Sequence, residues 1–207
     1  MSKAGTNTGK RRRFSPEKRK SLILDHTAEI VARDGVAVLT MELIAQEAGI
    51  SKSLVYTYFD NLTDLLRALL KRELKAQREL QFREAEAAPS LEELVRGVTH
   101  QYLKYIAERG LIIERLQSEP TVSRGSDPTA FKRGDAVEYI AKIVASSFDL
   151  PIDLARAASD ISFGIPAAAG AYLLHSEASL AEVEEITVAM ILGALEALET
   201  RFSSSGE

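Results

Sequence analysis

Thr40–Phe59 reads TMELIAQEAGISKSLVYTYF, two short helical patterns on either side of Ala48-Gly49-Ile50. With Met41 as the first place of a helix-turn-helix, Ile44, Ala48, Ile50, Val55 and Tyr58 fall where that motif needs apolar side chains. Ala45 falls where the two helices cross, and only a small side chain lets them approach. Gly49 falls in the turn, where positive φ is cheap for glycine and costly for a residue with a Cβ. One such agreement would mean little. Seven in twenty residues, with a basic segment and a first helix upstream, make a DNA-reading motif the strongest signal in the chain.

Working outward, Ser15-Pro16-Glu17 opens the first helix. Ser15 caps it, and Pro16 suits the first helical place because the N–H it lacks would be unpaired there. Ile23, Thr27, Ile30 and Val31 lie at i, i+4, i+7 and i+8, one buried face of a helix running to about Asp34. Gly35 ends it as the left-handed residue. Residues 1–14 hold Ser, Thr, Gly and Asn and then Lys10-Arg11-Arg12-Arg13. They predict a disordered basic arm in which Arg11, Arg12 and Arg13 neutralise phosphates or enter a minor groove. A merely solvated tail is the plainer alternative.

Thr40 caps the second helix, Met41–Ala48, and its hydroxyl or N–H is placed to reach a phosphate. Ser51 caps the third, which ends near Phe59 or Asp60 and points its positive end at the DNA. Val55 and Tyr58 or Phe59 turn back to the first two helices. Lys52, Ser53, Tyr56 and Thr57 face outwards. Lys52 can donate to guanine O6 or N7, and Ser53 and Thr57 can pair with several base edges. Tyr56 brings a stiff ring and a hydroxyl to a phosphate or a thymine methyl. The DNA-binding candidates are thus Arg11, Arg12, Arg13, Thr40, Ser51, Lys52, Ser53, Tyr56, Thr57 and Tyr58. The plainer reading of the third helix is a solvated face with one exposed tyrosine.

Residues from about Ser15 to Leu70 resemble the tetracycline-repressor family of transcriptional regulators. The matching residues are Ile23-Leu24-Asp25, Gly35, Thr40, Ile44-Ala45, Ala48-Gly49-Ile50-Ser51, Val55-Tyr56, Tyr58-Phe59, Asn61 and Leu65-Leu66. The resemblance covers little more than a quarter of the chain. It implies an all-α homodimer, with an N-terminal three-helix unit on operator DNA and a C-terminal helical domain that holds a small ligand and the dimer interface. Two positions depart from the pattern. Leu62 stands where members often carry a phosphate-binding lysine, and Leu54 where many carry threonine or serine.

Beyond the motif, Asn61 with Asp64 opens a helix to about Ala87, with Leu62, Leu65, Leu66, Leu69, Leu70 and Leu74 as its stripe. Such a rod could carry a change from one domain to the other. Ser90 with Glu93 opens another helix, to about Arg109 before Gly110, and a short segment Leu111–Leu116 follows. Gln117–Asp127 reads as a loop, and Asp127-Pro128 starts a helix to about Phe148. Ile152–His175 reads as one helix kinked at Pro166, and Ser179 with Glu182 opens the last, to about Phe202. That helix is apolar on two sides, so it needs two partners. Val183, Ile186, Met190, Ala194 and Leu198 form one side, and Val188, Leu192 and Leu195 the other. The dimer-interface candidates are Ala168, Tyr172, Val188, Leu192 and Leu195, pairing isologously with a second copy. A monomer that buries both sides is the alternative. Candidates for an apolar ligand pocket are His100, Tyr102, Tyr105, Arg109, Phe131, Tyr139, Phe163 and Tyr172.

Composition bounds the rest. The chain has 207 residues, 45% hydrophobic and 27% charged, as in an ordinary globular protein of one or two domains. Residues 1–83 carry a net charge of +6 and residues 84–207 a net of -10, so only one end suits a polyanion. The absence of cysteine excludes disulfides, thiolate metal sites and a cysteine nucleophile. His26, His100 and His175 are too far apart in sequence to suggest a metal site. No signal peptide or membrane span is read, so the expected compartment is the cytoplasm. No nucleophile–base pair, paired carboxylates or phosphate loop suggests an enzyme, and no cofactor is expected. The sequence thus predicts an all-α protein: an arm (1–14), a helix-turn-helix domain (15–60) and a helical ligand-binding and dimerisation domain (61–207). The predicted function is a sequence-specific repressor released from operator DNA by a small hydrophobic effector. The competing function is a helical protein-interaction module whose helix-turn-helix is structural only.

Overall fold

Capping residues and apolar periodicity set the elements. The computed structural model describes residues 15–123 and 133–202, and among them every regular element is a helix. The chain divides into two units between Leu65 and Leu66.

The first unit holds α1 (Pro16–Asp34), α2 (Met41–Glu47), α3 (Lys52–Tyr58) and the start of α4 (Leu62–Ala87). Each of the first three has a side-chain cap: Ser15, Thr40 and Ser51 accept from the N–H groups of Lys18, Leu43 and Leu54 at 3.3, 3.0 and 3.3 Å. Ile23, Thr27, Ile30 and Val31 are buried as their spacing requires. The Thr27 hydroxyl donates to the Ile23 carbonyl at 2.7 Å, so the buried oxygen is satisfied. Gly35 ends α1 with φ +85° but ψ -175°. That is an extended conformation of positive φ rather than the left-handed helical one, and only glycine adopts it readily. At the end of α2 the N–H of Ile50 bonds the Ala45 carbonyl and that of Gly49 the Gln46 carbonyl, at 3.0 and 3.1 Å. With Gly49 at φ +62° this is a Schellman turn, and it aims the chain from α2 into α3. Ile44, Ala45, Val55 and Phe59 close the core between them.

The second unit holds the rest of α4, then α5 (Leu91–Gln117), α6 (Pro120–Ser123), α7 (Arg133–Phe148), α8 (Ile152–Ser162), α9 (Gly164–His175) and α10 (Leu180–Phe202). Asn61 caps α4, accepting the Asp64 N–H at 2.9 Å. Ser90 and Ser179 cap α5 and α10 through Glu93 and Glu182. Leu94 and Val95 of α5, Ala141 and Val144 of α7, Ala155 and Ala158 of α8, and Val188, Ile191 and Leu195 of α10 share one core with Leu150.

Several expectations give way here. Helix α5 runs straight through Gly110 instead of stopping before it. A Cβ at Gly110 would lie 3.1 Å from the Leu174 methyls and 2.9 Å from Ile106 Cγ2, so the glycine serves the close approach of α9. Packing there outweighs the propensity cost of about 1 kcal/mol. The segment 152–175 is two helices, broken at Phe163, rather than one kinked at Pro166. The break leaves Pro166 in the first turn of α9, where its missing N–H costs nothing. Within the expected loop 117–127, Pro120–Ser123 forms the short α6. The expected start at Asp127-Pro128 lies outside the described residues.

Candidate nucleic-acid interface

Helix α3 is amphipathic over only seven residues. Val55 is fully buried, and Phe59, just past its end, is buried as well. Lys52, Ser53, Tyr56 and Thr57 are exposed, as are the caps Thr40 and Ser51. Four of these six share one face of α3, and the other two cap α2 and α3. Tyr58 is half-buried, so Phe59 supplies the inward aromatic contact and Tyr58 sits between the faces. Leu54 is also half-buried and spans the edge of the core. Arg11, Arg12 and Arg13 lie outside the described residues.

The polar groups on this face already have local partners. Ser51 and Ser53 hydroxyls lie 3.0 Å apart, and Thr57 Oγ1 donates to the Ser53 carbonyl at 3.0 Å. Lys52 is ion-paired with Glu42 in the first turn of α2, and its Nζ stands 5.8 Å from the centre of the Tyr56 ring. Glu42 was not among the sequence candidates, although it is the acidic residue in the first turn of α2.

In the second unit the described pocket candidates take several different partners. Tyr105 and Arg109 come together, but on Glu73. Arg109 donates twice to its carboxylate at 2.8 Å, the Tyr105 hydroxyl donates at 3.0 Å, and Arg72 adds a bond at 3.0 Å. Burial alone would raise the Glu73 pKa, but Arg109, with Arg72 and Tyr105, more than reverses this and holds it below the ordinary value. Burial, followed by the Glu73 charge, pushes the Tyr105 hydroxyl up to about 12. Tyr102 packs over Gly170 of α9, and burial raises its hydroxyl pKa. His100 pairs with Glu184 of α10 at 2.9 Å. Tyr139 and Tyr172 are exposed, and the Phe163 ring lies 5.6 Å from the Arg133 guanidinium. Phe131 lies outside the described residues. An open groove of about 680 Å³ lies between α7 and α8, lined by Arg133, Glu138, Asp153, Arg156 and Asp160 among others, and none of the described pocket candidates lines it. Sequence reading missed Glu73. Its signal was a carboxylate set within the stripe of Leu69, Leu70 and Leu74.

The interface candidates need a correction. Val188 and Leu195 are 1% and 3% exposed, in the core of their own unit, and Leu192 packs against that core. Val188 and Leu195 are therefore not free to meet a second copy, while Leu192 keeps part of its surface exposed. The exposed apolar side of α10 is instead that of Ile186 and Met190, 59% and 56% exposed. The buried stripe draws on both expected sides, because Val183 is buried with Thr187, Val188, Ile191 and Leu195 while Ile186 and Met190 stay outside. Ala168 and Tyr172 of α9 are exposed.

Among the described residues no group of acidic or histidine side chains is arranged to hold a metal ion, and no helix is long and apolar enough to cross a membrane. Residues 23–69 match the sequence model of the bacterial regulatory proteins of the tetR family. No protein of curated function matches the chain. Its fold is similar to that of a TetR-like transcriptional regulator from Rhodococcus sp. RHA1, 18% identical over 89% of this chain and 99% of the other, with a TM-score of 0.68. It is similar to a tetR-family transcriptional regulator from Streptomyces coelicolor, 20% identical over 91% and 89%, with a TM-score of 0.69. It is also similar to the fatty acid degradation regulator FadR from Bacillus halodurans, 15% identical over 87% and 97%, with a TM-score of 0.66.

Proposed function

We propose that this chain, a member of the tetR family of bacterial regulatory proteins through residues 23–69, is a homodimeric repressor that leaves operator DNA when a small hydrophobic effector binds. The observation that carries the DNA-binding part is the division of α3: Val55 is buried, while Lys52, Ser53, Tyr56 and Thr57 are exposed together. A helix presented in this way fits a major groove, with Thr40 and Ser51 near the phosphates. Regulators of this family act by binding, so the roles of these residues are contacts rather than catalysis.

Two-fold pairing rests on the unpartnered apolar side of α10, Ile186 and Met190, beside Ala168 and Tyr172 on the neighbouring helix α9. Burying such side chains contributes about 1.5–3 kcal/mol each. A two-fold dimer suits a palindromic operator. The hydrophobic effector is favoured by a similarly folded fatty acid degradation regulator. Effector and operator would then weaken each other's binding by the same factor.

The experiment is selection of duplexes from a random DNA pool by the purified protein, followed by sequencing. A recovered palindrome supports a sequence-specific dimer, and Lys52→Ala and Tyr56→Phe then weaken binding without unfolding the chain. If nothing is enriched at low salt, the interaction-module reading replaces this one.

A further inference from the structure

Helix α3 contains a single charged side chain, Lys52, and that cation is already paired with Glu42. Both groups are largely exposed, with side chains 51% and 59% accessible. The ammonium also stands against the Tyr56 ring, which disfavours its swinging away. The other acidic residue of α2, Glu47, is turned to Arg33 at 3.6 Å. The other DNA-binding candidates of α3 and of the caps of α2 and α3, namely Thr40, Ser51, Ser53, Tyr56 and Thr57, are exposed and uncharged.

We propose that Glu42 is a specificity-determining residue of the DNA surface, acting as a positioning residue for Lys52. This deepens the DNA-binding reading and rests on it. An ammonium has three donors. One can stay on Glu42 while another meets guanine O6 or N7, so a specific contact needs no exchange of partners. A flanking phosphate demands more. Flanking phosphates compete with the Glu42 carboxylate for the ammonium, and that carboxylate then faces a polyanion. The pairing therefore penalises sequence-independent binding more than sequence-specific binding, and the ratio of the two affinities rises.

The test uses full-length protein, the operator recovered by selection and a random-sequence duplex, each titrated across a salt series. Glu42→Gln keeps the shape and removes the charge. It should tighten binding to the random duplex by roughly twofold to fivefold, the range expected for release of an exposed ion pair. It should steepen the slope of log affinity against log salt by about 1, because one more phosphate is neutralised. Operator affinity should change by less than about twofold, so discrimination falls. In a Lys52→Met background the same change should no longer alter discrimination or slope. Circular dichroism checks that each variant is folded, and Glu42→Ala repeats the measurement if the glutamine variant is not. Unchanged discrimination in a folded variant overturns the proposal, and so does an equal loss in the Lys52→Met background, which would mean that Glu42 acts through its own charge. If the unmodified protein binds neither duplex in a salt-dependent way, the DNA-binding reading itself has failed, an outcome distinct from the other two.

Discussion

Glu73→Gln removes the one charge on which Arg109, Arg72 and Tyr105 converge. The carboxylate is only 3% exposed, and it accepts from Arg109 twice at 2.8 Å, from Tyr105 at 3.0 Å and from Arg72 at 3.0 Å. Breaking a buried pair by removing one partner costs about 3–5 kcal/mol. Arg109 is one-third exposed, so water recovers part of its solvation, and the glutamine oxygen can still accept from Tyr105. The lower end applies, about 3 kcal/mol, or about 6–12 °C in Tm for a chain of this size. Urea unfolding at fixed protein concentration, followed by far-ultraviolet circular dichroism, measures it. The pH dependence has a definite sign. Because the folded pKa of Glu73 is lowered, its stabilisation is complete above the unfolded glutamate value of about 4.3 and is lost as pH falls through the folded value. The variant should therefore lose stability at neutral pH and show a flatter acid limb. An Arg109→Met/Glu73→Gln cycle should show strong coupling. A loss under about 1 kcal/mol at pH 7 would mean that the cluster is worth no more than a surface pair, and the reasoning would be refuted.

Gly49→Ala should cost about 1 kcal/mol, because its φ of +62° is strained for any residue with a Cβ; circular dichroism melts report it, and an unchanged Tm contradicts the turn geometry. Gly110→Val should cost about 1–3 kcal/mol by pressing on Ile106 and Leu174, measured by the same melts. Ser159 is 2% exposed, and its hydroxyl is buried without a partner among the described residues, so Ser159→Ala should be neutral or stabilising by about 1 kcal/mol in urea titrations. Ile186→Glu with Met190→Glu should leave a folded monomer in sedimentation or light scattering, whereas Val188→Ala should lower stability by about 1–3 kcal/mol and leave the oligomeric state unchanged; a dimer that survives the double substitution refutes the α10 interface.

Local chemistry by itself determined most of the first unit. Ser15, Thr40 and Ser51 cap helices because a side-chain oxygen beside free N–H groups needs nothing distant. Gly49 supplies a positive φ that only the local backbone demands, and the period of Ile23, Thr27, Ile30 and Val31 has one solution in a short helix. Tertiary structure decided what depends on a partner across the fold. Helix α10 is apolar on two sides, and its period cannot say which side its own core takes; the packing of α5, α7 and α8 gave that side to Val188 and Leu195 and left Ile186 and Met190 outside. Gly110 reads as a helix end until Leu174 of α9 is seen to occupy the space its Cβ would take. Glu73 reads as a flaw in a leucine stripe until Arg109, thirty-six residues further along, is brought against it. Lys52 reads as a free cation until α2 places Glu42 beside it. Caps and turns are fixed within a few residues of themselves. Faces, glycine seams and the pairing of charges are fixed only when separate helices meet, because their free energy lies in surfaces that no single segment contains.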